Sequence, residues 1–427
     1  MSAKAPFRLR SALMDLTPLR ESRVFRRFWI GRSLSILGSQ ITAVAVMFQI
    51  WESTHSVMWS GAVGVAHAIP MLLLSVIAGS CADRFDRRRI QIVSTSGQAT
   101  LSIALAIQGL LGGLPPLLLL GVLAVQSGVA AFGGPASRSL IPRLLPGEQL
   151  AAGLALNGIS AQTAMLVGPA IGGLLIGWIG LTGCYLLDAV TFGAAFIGVL
   201  SLPALRPDGG IAQPGWAGIR AGLVFLARHR MIRALLLTDL AATVLAMPIS
   251  LFPLMNELLF GGDPRTLGLF LSAIGVGGVA ASVFSGTFTR SRHQVRFVVG
   301  GSLVWGISLA LEGIAGWPWV ALVLLVVAGA ADTASVVSRG AMVQRLTPDD
   351  LRGRVGAVEL LVGMTGPDIG NFRAGVVAGA TSGPVALVSG GALCVAMVLG
   401  LLWRTPELRQ TPPIESHDEP ISSLPSP

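Results

Sequence analysis

Charged side chains stand inside stretches that are otherwise long and apolar, among them Arg32, Asp239, Asp332, Asp368 and Arg373. A charge at the middle of a bilayer costs roughly 2.5–3.5 kcal/mol on insertion scales, so each of these residues needs a partner or a task. Arginine offers a rigid fork of donors suited to oxygen-rich, anionic groups, which makes Arg32 and Arg373 candidates for contact with a solute. A structural ion pair, such as Arg32 with Asp239 or Asp332, accounts for the same residues equally well. Asp332 and Asp368 are the candidates for proton movement, because a carboxyl group withdrawn from water gains or loses its proton as its surroundings change. Asp368 and Asn371 share a helix face, whereas Arg373 is offset from Asp368 by roughly 140° and reaches it only through its long stem. Gln40, Gln49 and Gln126 add uncharged polar groups to the same set of spans. Asp188, Glu312 and Glu359 read as packing-level polar groups, and His67 as a lone polar residue.

Other chemistries lack their residues. The only lysine is Lys4, so no phosphate-cradling P-loop exists. His55, His67, His229, His293 and His417 have no metal-ligand spacing, and no metal or cofactor is expected. Cys81, Cys184 and Cys394 are isolated small packing residues. No nucleophile elbow has a credible setting, so an enzyme is not expected. The net charge of +9 invites a nucleic-acid reading, but the charges lie in short loops between apolar runs and not on one soluble face.

The elements that must carry these residues are membrane helices. The chain is 52% hydrophobic and only 12% charged, against about 25% charged for soluble domains. A spanning helix takes roughly 20 apolar residues, and hydropathy predicts twelve spans, near 28–51, 58–82, 90–111, 115–136, 150–178, 181–202, 234–258, 266–288, 297–315, 318–338, 356–380 and 384–403. All of the 30 Lys and Arg residues except Arg32, Arg265 and Arg373 fall in the two tails and the even-numbered loops. That bias places both termini in the cytoplasm of a multi-pass cell-membrane protein.

The two halves echo each other. Ser137-Arg138, Arg143 and Pro146 follow span 4, and Ser338-Arg339, Arg345 and Pro348 follow span 10. The expected architecture is therefore all-α and integral to the membrane, with two six-helix repeats of the same orientation and a site between them. The expected units are a tail over 1–27, a bundle over 28–202, a linker over 203–233, a second bundle over 234–403 and a disordered tail over 404–427.

The loop after span 2 reads Gly79-Ser-Cys-Ala-Asp83-Arg84-Phe-Asp-Arg87-Arg88-Arg89. It resembles the signature loop of the major facilitator superfamily, with Cys81 and Asp86 where Leu and Gly are usual. The resemblance implies a gating role for Gly79, Asp83, Arg84, Arg87 and Arg88, with the two later arginines held by anionic lipid or a facing carboxylate. Span 5 carries Gly168-Pro169-Ala-Ile-Gly172-Gly173, similar to the core of the motif associated with exporters in that superfamily. There Pro169 implies a kink and Gly172 and Gly173 imply close packing on the other half. Leu123 stands where drug antiporters carry an intramembrane arginine.

Short matches run along almost the whole length: Arg32-Ser-Leu-Ser35, Ser201-Leu-Pro-Ala-Leu205, Gly353-Arg354, Thr365-Gly366 and Arg409-Gln-Thr-Pro-Pro413. Together they resemble the branch that holds enterobactin exporters and macrolide-type efflux permeases. The resemblance implies a central cavity lined by spans 1, 4, 7 and 10, with Arg32, Gln40, Gln126, Asp239, Asp332 and Arg373 as substrate-cavity candidates. It further implies secondary active export of a siderophore, driven by protons through Asp332 or Asp368, by a chain that works as a monomer among membrane lipids. Broad multidrug or macrolide efflux is the alternative, and a non-transporting sensor or scaffold is the alternative of another class.

Overall fold

The computed structural model describes residues 15–203, 215–291, 293–348 and 351–409. The start of the N-terminal tail, residues 204–214 of the linker and residues 410–427, where disorder was expected, lie outside that set, as do the side chains of Asp83 and Arg84. Among the described residues there is helix and no strand. In hydrocarbon every backbone N–H and C=O must be bonded within protein, and a continuous helix does so locally.

Among the described residues, ten stretches are long and apolar enough to cross a membrane. One of them, Gly147–Leu200, turns at Gly180, where a φ of 70° breaks the helix, so it makes two crossings. The 29-residue helix Arg352–Ala380 has the length of another. The described chain thus forms twelve rods: α1 (Arg23–Thr54), α2 (Val57–Arg84), α3 (Arg87–Leu110), α4 (Pro116–Leu144), α5 (147–179), α6 (181–200), α7 (Arg230–Phe260), α8 (Pro264–Val283), α9 (Gln294–Glu312), α10 (Pro318–Leu346), α11 (Arg352–Ala380) and α12 (Gly383–Arg404). A connector helix, Gly215–Arg228, precedes α7 and packs on α11 and α2.

Short polar residues start these rods. Ser22 accepts from the Phe25 N–H at α1, Asp86 from Arg88 at α3, Asp263 from Arg265 at α8 and Ser382 from Val385 at α12. Each satisfies one of the amide donors that a helix start leaves unpaired. Asp86 therefore has a local reason to replace the usual glycine of the signature loop: it ends one rod's loop and caps the next.

The packing repeats between halves. Helices α2 and α4 pair as α8 and α10 do, α3 and α4 as α9 and α10, and α3 and α6 as α9 and α12. Glycines set the closeness, as expected between membrane helices. A Cβ on Gly31 of α1 would lie 2.7 Å from the Ala194 carbonyl oxygen of α6, and one on Gly306 of α9 would lie 3.0 Å from the Gly391 carbonyl oxygen of α12.

Glu312, at the end of α9, is fully buried, and neither of its carboxyl oxygens has a hydrogen-bond partner among the described residues. Leaving a buried polar group unsatisfied costs about 1–3 kcal/mol. Glu312→Leu is expected to raise the unfolding temperature in detergent; an unchanged or lower value would mean that the carboxyl is satisfied after all.

Candidate functional site

The two six-helix bundles meet along α2 with α11, α5 with α8 and α1 with α7. Contact is tight toward the end away from the termini, here the far end. A Cβ on Gly64 of α2 would lie 2.6 Å from the Asp368 carbonyl oxygen of α11, and one on Gly375 of α11 would lie 2.7 Å from the Val57 carbonyl oxygen. On the other seam, a Cβ on Gly173 of α5 would lie 2.7 Å from the Pro264 carbonyl oxygen and 2.9 Å from the Gly268 Cα of α8. The Trp51 indole N–H donates to Glu257 Oε2 at 3.0 Å, tying the last turns of α1 and α7 together. Toward the terminus end, a Cβ on Gly79 of α2, Gly158 of α5 or Gly363 of α11 would meet nothing within 4 Å among the described residues. The bundles form a cleft that is shut at the far end.

The Trp51 bond is one hydrogen bond of the shut end, worth about 0.5–1.5 kcal/mol. Trp51→Phe is expected to open that end about three- to tenfold more often, read as faster thiol labelling of a cysteine placed at Ser53. Labelling at the wild-type rate would remove this bond from the gate.

Inside the cleft, on the far-end side of its middle, is a cavity of about 310 Å³. Its polar lining comes from Gln40 of α1, Ser60 and His67 of α2, Ser250 of α7, and Asp368 and Asn371 of α11. Val44, Met47, Val63, Leu123, Ile249 and Leu271 supply apolar wall. A small polar set in an apolar wall is the usual composition of a small-molecule site. Helix α7 breaks where it borders this cavity, with a π turn over Ala241–Leu245 and a 3-10 turn over Ile249–Leu251. Such interruptions often sit at functional hinges. The displaced backbone is held by Asn371: the Ser250 N–H donates to its Oδ1 at 3.1 Å and the Ser250 hydroxyl to its carbonyl at 2.7 Å.

The sequence candidates divide between this cavity and the bundle interiors. Gln40 and Asp368 line the cavity. Arg32 lies nearer the open end, where its Nε donates to Asn157 Oδ1 of α5 at 3.1 Å. Gln126 is buried within the first bundle, bonded to Ser102, which itself donates to Asp188 at 2.7 Å. Gln49 bonds Gln108 and Tyr185 in the same bundle. Arg373 turns away from Asp368 to the Ala386 carbonyl of α12 at 3.4 Å. Asp239 pairs with Arg339, whose Nε is also 3.6 Å from Glu359 Oε1. Asp332, about two turns before Arg339 on α10, is close enough to feel the charges of Asp239 and Arg339. Two carboxyl groups thus pair with one guanidinium that is only 5% exposed. Helix α10, expected to line the central cavity, contributes none of the described residues around this one.

In the motifs, Arg88 donates to the Leu200 carbonyl at the end of α6 at 3.0 Å, a cation on a helix C-terminus. Asp83 and Arg84 lie outside the described side chains. Gly168 and Gly172 pack on Gln40 and Ile41 of α1 within their own bundle, and Gly173 is the glycine of that motif that faces α8 across the cleft. The sequence reading overlooked the partner of His67. His67 is not a lone polar residue, because its Nδ1 lies 2.9 Å from Asp368 Oδ2 on the opposite bundle.

Known proteins agree with this geometry. The model of the transmembrane secretion effector family matches residues 13–424. A multidrug efflux pump, Tap of Mycolicibacterium fortuitum, is 29% identical over 80% of this chain and 86% of its own length. The enterobactin exporter EntS of Shigella boydii is 26% identical over 94% of this chain and 97% of its own. Among solved structures, a bacterial homologue of the iron transporter ferroportin in an inward-facing state superposes with a TM-score of 0.68 at 17% identity, covering 89% of this chain and 98% of that one. A POT family transporter in complex with 5-aminolevulinic acid gives 0.71 at 13% identity over 91% and 97%. At such identities the structural likeness speaks for the fold alone. With a family match over nearly the whole length, twelve rods and a cleft between two bundles, the chain belongs to the transmembrane secretion effector family of major facilitator transporters: it is a multi-pass membrane efflux transporter and not an enzyme.

Proposed function

We propose that this chain is a secondary exporter that loads a catecholate or similar oxygen-rich siderophore from the cytoplasm and releases it beyond the cell membrane, driven by the proton gradient. The observation that supports the reading is the contrast between close backbone contact at the far end and the open space beside Gly79, Gly158 and Gly363 among the described residues. The arginine bias of the terminus-end loops supports placing that end in the cytoplasm, and the cleft is then in its loading state. Arg32 near the mouth suits an anionic, oxygen-rich solute, and Gln40 and Asn371 offer hydrogen bonds deeper in. The full-length likeness to an enterobactin exporter supports the substrate class. The absence of a P-loop lysine leaves an ion gradient as the energy source. Asp368 in the cavity and Asp332 in the α10 cluster are the carboxyl groups placed to respond to it.

Deleting the gene under iron limitation and measuring siderophore on both sides of the membrane tests this. Accumulation inside cells with loss from the medium is the expected result. Unchanged secretion would overturn the substrate and favour the second reading, broad drug efflux. That reading draws on the apolar wall of the cavity and on the likeness to a multidrug pump; overexpression should then raise resistance to macrolides or similar drugs. If reconstituted protein moves neither kind of solute, a sensor or scaffold role replaces both.

A further inference from the structure

His67 and Asp368 are the only ionisable groups among the described lining of the inter-bundle cavity, and they touch each other across it. One stands on α2 of the first bundle and the other on α11 of the second. Their backbones meet as closely as helices can: Gly64, one turn before His67, packs directly on the Asp368 carbonyl. The pair lies on the side of the cleft that is shut, so any motion that opens the far end along the α2–α11 seam must pull the two side chains apart.

The surroundings leave the contact to these two groups. Gln40 on α1, Ser250 on α7 and Asn371 on α11 do not titrate. From α4, the Ser127 hydroxyl donates to the His67 carbonyl at 2.7 Å and does not reach the ring, while α5 and α8 present Pro169 and Leu271. Other charges on the packed helices are engaged elsewhere: Arg32 with Asn157, Arg373 with the Ala386 carbonyl and Glu359 with Arg339. The His67 side chain is 45% exposed and that of Asp368 is 17% exposed, and both line the cavity.

We propose that His67 and Asp368 form a proton-operated clasp that holds the far end of the transporter shut. With a proton on both ring nitrogens, imidazolium faces carboxylate and the clasp is an ion pair. When Nε2 releases its proton to water in the open cleft, the ion-pair attraction is lost and one hydrogen bond from the neutral imidazole Nδ1–H to the carboxylate remains. The far end then opens more readily, and rebinding of one proton from the far side restores the ion pair and draws the bundles together. One proton thus crosses toward the terminus end for each return of the empty cleft, opposite in direction to an exported solute. The ion pair exists below the titration of the imidazole and fades as pH rises through it, histidine being the side chain whose charge changes most readily near physiological pH.

The clasp rests on the transporter reading, but its test needs no substrate, so it can fail or stand separately from siderophore export. Spin labels on cysteines placed at Ser53 and Thr381 report the distance across the far end in nanodiscs. Cys81 is replaced for this purpose, and Cys184 and Cys394 are fully buried. In the otherwise wild-type protein the population of long distances is expected to grow several-fold between pH 5.5 and 8.5. His67→Gln and Asp368→Asn are each expected to abolish that response, and Asp368→Glu, which keeps the carboxyl, to retain it. Should His67→Gln not yield folded protein, the Asp368 pair decides alone. A wild-type distance that ignores pH, or a response that survives in Asp368→Asn, would overturn the clasp.

Discussion

Gly173→Leu is expected to abolish transport while leaving the protein folded in the membrane. A side chain at this position enters the seam between α5 and α8, where a Cβ alone would lie 2.7 Å from the Pro264 carbonyl and 2.9 Å from the Gly268 Cα. Both neighbours are backbone, so neither can rotate away. Overpacking of this kind costs about 3 kcal/mol or more, a shift of about a hundredfold in the balance between shut and open far ends. A transporter that cannot shut one end cannot alternate, so transport should fall about a hundredfold and thiol labelling at the far end should become constitutive. Gly158→Leu is the control on the same helix, because a Cβ there meets open space; its transport should stay within about twofold of wild type. Normal transport by Gly173→Leu would mean that this seam does not close in the cycle.

The second large effect is structural. Arg339→Leu removes the guanidinium that pairs with Asp239 and Glu359 and leaves those carboxyl groups without their counter-charge. Removing one partner of a buried pair typically costs 3–5 kcal/mol, and this arginine serves two. The expected outcome is loss of monodisperse protein in detergent. Because replacing a whole buried ionic cluster by apolar groups of similar size is often neutral, adding Asp239→Leu and Glu359→Gln to Arg339→Leu should recover much of it. A single Arg339→Leu variant that melts like wild type would show that the cluster does not hold α7, α10 and α11 together.

Much of the architecture was legible from the chain alone, for physical reasons. A bilayer demands apolar runs of fixed length, and the arginines must stay outside it, so hydropathy and charge placed the rods. The break between α5 and α6 was placed at residues 178–181, and it is Gly180 that makes it. Helix α7 was expected as one continuous span; nothing in hydropathy reveals that it unwinds around Ala241–Leu245 and Ile249–Leu251, because the backbone bonds it loses are repaid by Asn371, on another helix.

The site was harder to read than the fold. Helical periodicity puts Asp368 and Asn371 on one face, and both line the cavity, but it cannot say what stands opposite. The partner of Asp368 is 301 positions away in the other bundle, and a lone histidine in an apolar span carries no mark of a carboxylate across a cleft. The destination of Arg373 was hidden likewise, since a long side chain reaches either of two neighbouring helices and the α12 backbone won. The Asp239–Arg339 pair was hidden because Arg339 falls just past the hydropathy span 318–338 and reads as a loop arginine, whereas the helix runs on through it to Leu346.

The central claim is export by alternating access under a proton gradient, and inside-out membrane vesicles test it most directly. Vesicles carrying the protein, acidified inside and free of ATP, are given a labelled catecholate siderophore and, separately, a labelled macrolide. Accumulation of one of them that requires the gene, collapses with a protonophore and is absent in Gly173→Leu is the result the account predicts. Gradient-driven accumulation of neither solute, in vesicles shown to hold folded protein, would contradict it.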